Sequence, residues 1–299
     1  MRTIPYYLVD AFAASPFGGN AAGVVPLEVP LAEREMQQIA RELNQSETAF
    51  LLRSASETAD FRVRYFTPAE EINFCGHATV ASAWVAALDL GWLDKADEVV
   101  LETNIGRIPV RFEREGAQLK SVTMTQVAPR VKEVPVAAGE MARLAGIREE
   151  DLDERYPIRL GYTGNWHLLI PVKTRRAIDQ AKPMLTELAE MNRAFEISTT
   201  HLFTFDTEDD EHHVYTRDFC PAIGIPEDPV TGAANGALAG YFILEEILPV
   251  HQTHRLKIAQ GHAIGRPGTL DVTISPGADG PVIQVGGAAH ITAAGTLRL

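Results

Sequence analysis

Cysteine is nearly missing from this chain of 299 residues: Cys75 and Cys220 are the only two, and no C-x-x-C spacing occurs. That excludes a disulfide framework and the usual zinc-ribbon patterns. Positive charge is the scarcer sign, with 27 Lys and Arg against 40 Asp and Glu and a formal net charge of −13. Such a surface argues against phosphate backbones and anionic membranes as partners, so neither nucleic acid nor membrane is expected. No apolar run is long enough to span a bilayer, the longest being interrupted at Asp89 or Glu245. The first residues, MRTIPYYLVDAF, read as a strand and not as a signal peptide, so a soluble, cytoplasmic protein is expected. G-x-S-x-G, P-loop and G-x-G-x-x-G patterns are all lacking, which removes the hydrolase elbow and the common nucleotide sites.

What is present is core. Apolar residues make up 45% of the chain, enough for one large or two medium domains. Residues 31–43 place Met36, Ile39, Ala40 and Leu43 at helical spacing, 48–53 reads as a strand, and 61–66 alternates as another. Strands are expected at 98–103 and 107–113, and surface helices at 140–146 and 183–195. Two further segments, 77–90 and 232–246, are apolar on every face, the pattern of a helix enclosed by protein. Each follows a glycine, Gly76 or Gly232, after a turn.

The halves repeat one order of signals. Gly19-Asn20 matches Gly164-Asn165, and Phe66-Thr67-Pro68 matches Phe219-Cys220-Pro221. The two glycine-started apolar helices come next, then Ile105-Gly106-Arg107 against Ile264-Gly265-Arg266. The order predicts a duplicated α/β unit with a cleft between the copies. The units are expected at 1–124 and 125–287, with about 288–299 as a candidate to return to the first. If both helix starts face that cleft, their unpaired amides form a cradle for a carboxylate; otherwise the glycines serve only close packing.

Few residues there can do chemistry. Glu47 lies between a helix end and a strand start, where most glutamates are merely solvated. His77 opens a buried helix, whose positive end should lower its pKa and favour the neutral ring. Asp228 precedes Pro229 and suits a turn or cap as readily as a site. Cys75 reads either as a thiolate activated by the helix end or as a small buried hydrophobe. DTEDDEHH (206–213) has metal-ligand residue types but sits between two strands, as an acidic hairpin tip would.

Together these motifs resemble the phenazine-biosynthesis PhzF-like isomerase family. The carriers are Pro16-Phe17-Gly18-Gly19-Asn20, Asn44-Gln45-Ser46-Glu47-Thr48, Cys75-Gly76-His77-Ala78-Thr79, Glu227-Asp228-Pro229-Val230-Thr231-Gly232, Gln260-Gly261 and Val285-Gly286-Gly287. The resemblance covers essentially the whole chain. It implies the diaminopimelate epimerase-like fold, an α/β (α+β) class of two similar domains, each a curved, mostly antiparallel sheet around a central buried helix. It also implies an enzyme without cofactor or metal, commonly a homodimer, acting on a small carboxylate-bearing, amino-acid-like molecule. Glu47 matches the catalytic acid/base, poised by burial near neutral pKa, and His77 and Asp228 match the polar groups beside it. Asn20, Gly76, His77, Asp228, Gly232 and Ala233 match substrate-binding positions.

The sequence departs from the pattern twice. Pro229 stands where the related epimerases carry a second thiol, which argues against a two-thiol racemase. Ala233 replaces a frequent serine, leaving open whether the phenazine intermediate is the substrate. The expected activity is a cofactor-independent proton shift between carbons. A Cys75-assisted epimerase or racemase and a catalytically idle small-molecule-binding protein are the alternatives.

Overall fold

The computed structural model describes residues 2–299. The chain divides into two compact units: residues up to Thr125 together with Gly286–Leu299, and Gln126–Val285. Both are mixed α/β, dominated by sheet.

The first unit contains β1 (Thr3–Ala11), β2 (Asn20–Leu27), α1 (Glu33–Leu43), β3 (Glu47–Arg53), β4 (Phe61–Phe66), β5 (Glu71–Ile72), α2 (Gly76–Leu88), β6 (Glu98–Thr103), β7 (Gly106–Glu115) and β8 (Gln118–Thr125). The second contains β9 (Arg130–Lys132), α3 (Ala138–Ala145), β10 (Arg159–Tyr162), β11 (Trp166–Pro171), α4 (Arg175–Asp179), α5 (Leu185–Ala194), β12 (Thr199–Thr204), β13 (Val214–Cys220), β14 (Ile225–Asp228), α6 (Gly232–Leu244), β15 (His254–Gln260) and β16 (Gly268–Ser275). Strand β17 (Val282–Gly287) leads back to the first unit, where β18 (Ala289–Arg298) pairs antiparallel along the whole of β1.

One pairing scheme is used twice. In the first unit β1–β2 is antiparallel, β2–β3 parallel, β3–β4 and β4–β5 antiparallel, β4–β6 parallel and β6–β7 antiparallel. The second unit runs β10–β11, β11–β12, β12–β13, β13–β14, β13–β15 and β15–β16 in the same sequence of senses. Each parallel pair needs a crossover, and α1 or the α4–α5 pair supplies the first while α2 or α6 supplies the second.

Helices α2 and α6 are the cores. Ala78 to Ala87 are all buried in α2, as are Ala234 to Ile243 in α6. Helix α2 packs on β1, β2, β3, β7, β8 and β18, and α6 on β9, β10, β11 and β16, so sheet wraps round both. A helix enclosed this way must satisfy its own polar side chains. Thr79 and Ser82 donate to the carbonyls of Cys75 and Ala78, each at 2.7 Å, and Asn235 Nδ2 donates to Thr231 O at 3.0 Å. The expected segments 77–90 and 232–246 form these helices but stop at Leu88 and Leu244, where Asp89 and Glu245 begin the surface turns. The acidic stretch 206–213 joins the antiparallel strands β12 and β13, with Asp209 accepting the amides of Glu211 and His212 at 2.9 and 2.7 Å.

Candidate active site

The first unit brings Ser46, Glu47, Cys75 and His77 together. Helix α1 ends at Asn44, which adopts the left-handed conformation (φ 50°) and turns the chain directly into β3. Glu47 opens that strand opposite Ala22 of β2, and Asn20, the buried first residue of β2, lies at the same end of the sheet. Cys75 is the residue before α2, and His77 sits in the helix's first turn. The carbonyl of Cys75 accepts from both the amide and the hydroxyl of Thr79, at 3.0 and 2.7 Å. Since that hydroxyl has spent its hydrogen, the buried Tyr65 hydroxyl donates to it, at 2.7 Å.

His77 Nε2 lies 3.1 Å from Glu47 Oε2 and 3.3 Å from Ser46 Oγ, while Nδ1 lies 3.4 Å from Cys75 Sγ. Glu47 is 8% exposed and His77 7%. The ring N–H does not point squarely at Oε2, so the contact is ionic and that buried oxygen keeps an unfilled lone pair.

This geometry corrects two expectations. Burial alone would push the Glu47 carboxyl up, but the His77 cation beside it outweighs burial and holds the pKa below the usual range. Glu47 is therefore ionised and not poised near neutrality. Burial likewise pushes the His77 imidazole down, yet the adjoining Cys75 and Glu47 raise it well above its ordinary value. The neutral ring expected from the helix end gives way because a full carboxylate charge at 3.1 Å outweighs the helix's fractional one. Cys75 is held as a thiol, its pKa raised by burial and by the Glu47 charge.

Glu47, Cys75 and His77 are also the one group of potential metal donors within 4.8 Å of one another among the described residues. Carboxylate, imidazole and thiol suit a zinc-like ion, which would first have to displace the protons on the ring and the thiol.

Asp228, Gly232 and Ala233 belong to the second unit. Asp228 ends β14, and Thr231, at the cap of α6, sets its hydroxyl 2.6 Å from Asp228 Oδ2. The Thr231 amide, one residue before the amides of the expected cradle, is taken by Gln260 Oε1 at 3.2 Å. Gly232 and Ala233, one and two positions further on, open the first turn of α6, Gly232 buried and Ala233 partly exposed. A Cβ on Gly76 would meet only Met124 Cε at 3.4 Å, an ordinary contact, so close packing does not require that glycine. Residues 229 and 231 are Pro and Thr, and no thiol stands at the start of α6.

The structure adds residues that motif reading passed over. Ser46 and Gln260 belong to family-like motifs, whereas Asp218, His201 and Thr199 fall within ordinary strands and carry no motif. These last three are buried beneath Thr231: Asp218 Oδ1 accepts from Thr199 at 2.7 Å and from His201 Nδ1 at 2.8 Å.

Residues 9–295 match the family described as phenazine biosynthesis-like protein (PhzC-PhzF). A solved PhzF-family phenazine biosynthesis protein from Bacillus anthracis superposes with a TM-score of 0.90 at 32% identity, covering 100% of both chains. The chain therefore belongs to the PhzC-PhzF family. It is 38% identical over 275 residues to an uncharacterized isomerase, YddE, of Escherichia coli K12, covering 90% of this chain and 89% of that one. It is 31% identical over 265 residues to the trans-2,3-dihydro-3-hydroxyanthranilate isomerase of Pseudomonas aeruginosa, covering 89% and 88%.

Proposed function

We propose that this protein is an isomerase that moves a proton between carbons of a small carboxylate-bearing, amino-acid-like substrate, with Glu47 as the acid/base. The observation that carries the reading is the buried, ionised Glu47 carboxylate beside His77, with Oε2 unfilled. An unfilled carboxylate lone pair in a dry site is a competent proton acceptor, and the imidazolium at 3.1 Å stabilises the charge between turnovers. When Glu47 takes the proton its charge is lost, and His77 can then pass a proton on or hold the ring's charge against the developing carbanion. Asn20, the Gly76 and His77 amides, Asp228 and the Gly232 and Ala233 amides are proposed to bind substrate, as the family resemblance implies. The protein is proposed to work without cofactor or metal and as a homodimer, which light scattering can check.

The test needs no knowledge of the product. Carboxylate-bearing metabolites are incubated with the protein in deuterated water and screened for C–H exchange. Glu47→Gln is expected to lose the ~10²–10⁴-fold typical of general acid–base catalysis while keeping its fold. Unchanged exchange in a folded variant overturns the assignment. Activity that falls in EDTA and returns with a divalent ion overturns the metal-free reading.

A second reading, a Cys75-assisted epimerase, draws on the 3.4 Å approach of Sγ to His77 Nδ1. It is the weaker one, because the thiol is held protonated. Cys75→Ser retains most exchange under the first reading and abolishes it under the second.

A further inference from the structure

Gln260, the last residue of β15, is fully buried, and its side chain is spent on one short segment and the helix that follows it. Nε2 donates to the Asp228 carbonyl at 3.0 Å and to Thr231 Oγ1 at 3.1 Å. Oε1 accepts from the Thr231 amide at 3.2 Å and from Asn235 Nδ2 at 2.7 Å. The Thr216 hydroxyl, 3.4 Å from Oε1, has the Ala259 carbonyl at 3.2 Å for its one hydrogen. A carboxamide offers two donor hydrogens and two lone pairs, so nothing is left over. Its orientation is fixed from both sides, because a main-chain carbonyl only accepts and a main-chain N–H only donates.

Asp228 and Thr231 are the first and fourth residues of a segment with Pro229 second, the place proline favours in a β-turn. In a closed β-turn the carbonyl of the first residue and the amide of the fourth bond to each other. Here the Gln260 carboxamide stands between them and takes both. Gly261 lets the end of β15 come this near: a Cβ on it would lie 2.7 Å from Pro229 O and 2.2 Å from Arg266 O. The start of α6 follows from this arrangement. A threonine at a helix cap ordinarily turns its hydroxyl back onto the helix's own amides. No side chain caps α6, because Thr231 Oγ1 accepts from Gln260 and faces Asp228 Oδ2 and Asp218 Oδ2 at 2.6 and 3.0 Å. The Thr231 carbonyl meanwhile takes the amide and Nδ2 of Asn235 at 3.1 and 3.0 Å, which sets the direction of the first turn.

We infer that Gln260 is a positioning residue, which holds residues 228–231 open so that the Gly232 and Ala233 amides meet the substrate carboxylate. The inference rests on the proposed binding of a carboxylate at those amides. With no exposed surface of its own, Gln260 acts through Asp228 and Thr231. Without the carboxamide, the Asp228 carbonyl and the Thr231 amide lose their partners in a buried place, and the turn is expected to close on itself. The amides that follow would then be turned away from the site.

Acetate is the simplest probe, read by the NMR shifts of the Gly232 and Ala233 amides. Both are expected to move on titration of the wild type. In Gln260→Met, which keeps the length and loses every hydrogen bond, acetate affinity should fall about tenfold or more. The Thr231 amide should exchange faster with deuterated water, while the amides of α2 keep their rates. In turnover KM should rise by a like factor with kcat changed less. A role in folding alone would lower kcat with the folded fraction and leave KM unchanged. Gln260→Ser, whose smaller side chain admits water to the bared groups, takes its place if the methionine variant does not fold. Equal acetate affinity in the wild type and the folded variant, or an unchanged KM, overturns the role of Gln260. Wild-type amides that ignore acetate overturn the cradle and this inference with it, whereas the Glu47 reading is judged separately by C–H exchange.

Discussion

At the residue scale, the Glu47–His77 pair fixes the pH behaviour. Glu47 has a folded pKa below its ordinary value of 4.5, so its stabilising contribution is present above that value and is lost as pH falls through the lowered one. His77 is raised well above 6.5, so its contribution is complete below 6.5 and is lost as pH rises through the raised value. Stability from the pair is therefore greatest between about 4.5 and 6.5 and declines on both sides, which thermal melts across pH can follow. Replacing the cation sharpens the point. His77→Asn leaves a buried carboxylate without its counter-charge, so burial should dominate and raise the Glu47 pKa. The acid limb of the exchange rate is expected to move to higher pH in that variant; an unmoved limb would mean that His77 does not set the ionisation of Glu47.

At the element scale, the enclosed helices depend on small residues where chain crosses them. A Cβ added to Gly240 in α6 would come 2.3 Å from Pro129 Cβ, and one on Gly236 would meet Gln126, Thr163 and Val285 at 3.2–3.3 Å. These glycines are four apart and lie on one face, so the segment before β9 rests directly on the helix backbone. Gly→Ala within a helix ordinarily gains about 1 kcal/mol of propensity. At Gly240 the overlap with a rigid proline ring should cost about 1–3 kcal/mol or more and reverse the sign. Gly240→Ala is expected to lower Tm, while the same change at the exposed Gly116, which meets nothing within 4 Å but has φ +62°, loses only the milder cost of a left-handed backbone. A Gly240→Ala variant with raised Tm would show that the Pro129 segment does not bear on α6.

At the scale of the whole chain, the two units differ in continuity. Gln126–Val285 is one uninterrupted stretch, whereas the first unit needs Gly286–Leu299 to return. In that unit β1 lies between β2 and β18, pairing with β18 from Thr3↔Arg298 to Ala11↔Ala289. Removing residues 288–299 would strip one side of β1 and leave its ladder groups unpaired. The truncated chain is expected to lose the cooperative melting of the first unit and to aggregate, while a fragment of 126–285 keeps a cooperative transition by circular dichroism. A truncated protein that melts like the full chain would show β18 to be dispensable.

The sequence by itself determined the elements and their order. Apolar residues on every face marked α2 and α6, alternation marked β4, and the repeated Gly-Asn, Phe-x-Pro and Ile-Gly-Arg signals gave the duplication that the strand pairing shows in detail. These are local properties, fixed by side-chain periodicity and turn chemistry within a few residues. Charge states were decided only by the tertiary structure. Glu47 and His77 lie on different elements, and their 3.1 Å separation reverses what burial alone does to one and the helix end to the other. Asp218 reads as one polar residue of a mixed strand until the fold sets it 3.0 Å from the Thr231 hydroxyl. A coulombic or hydrogen-bonding partner is chosen by distance in space, and spacing along the chain carries no record of it.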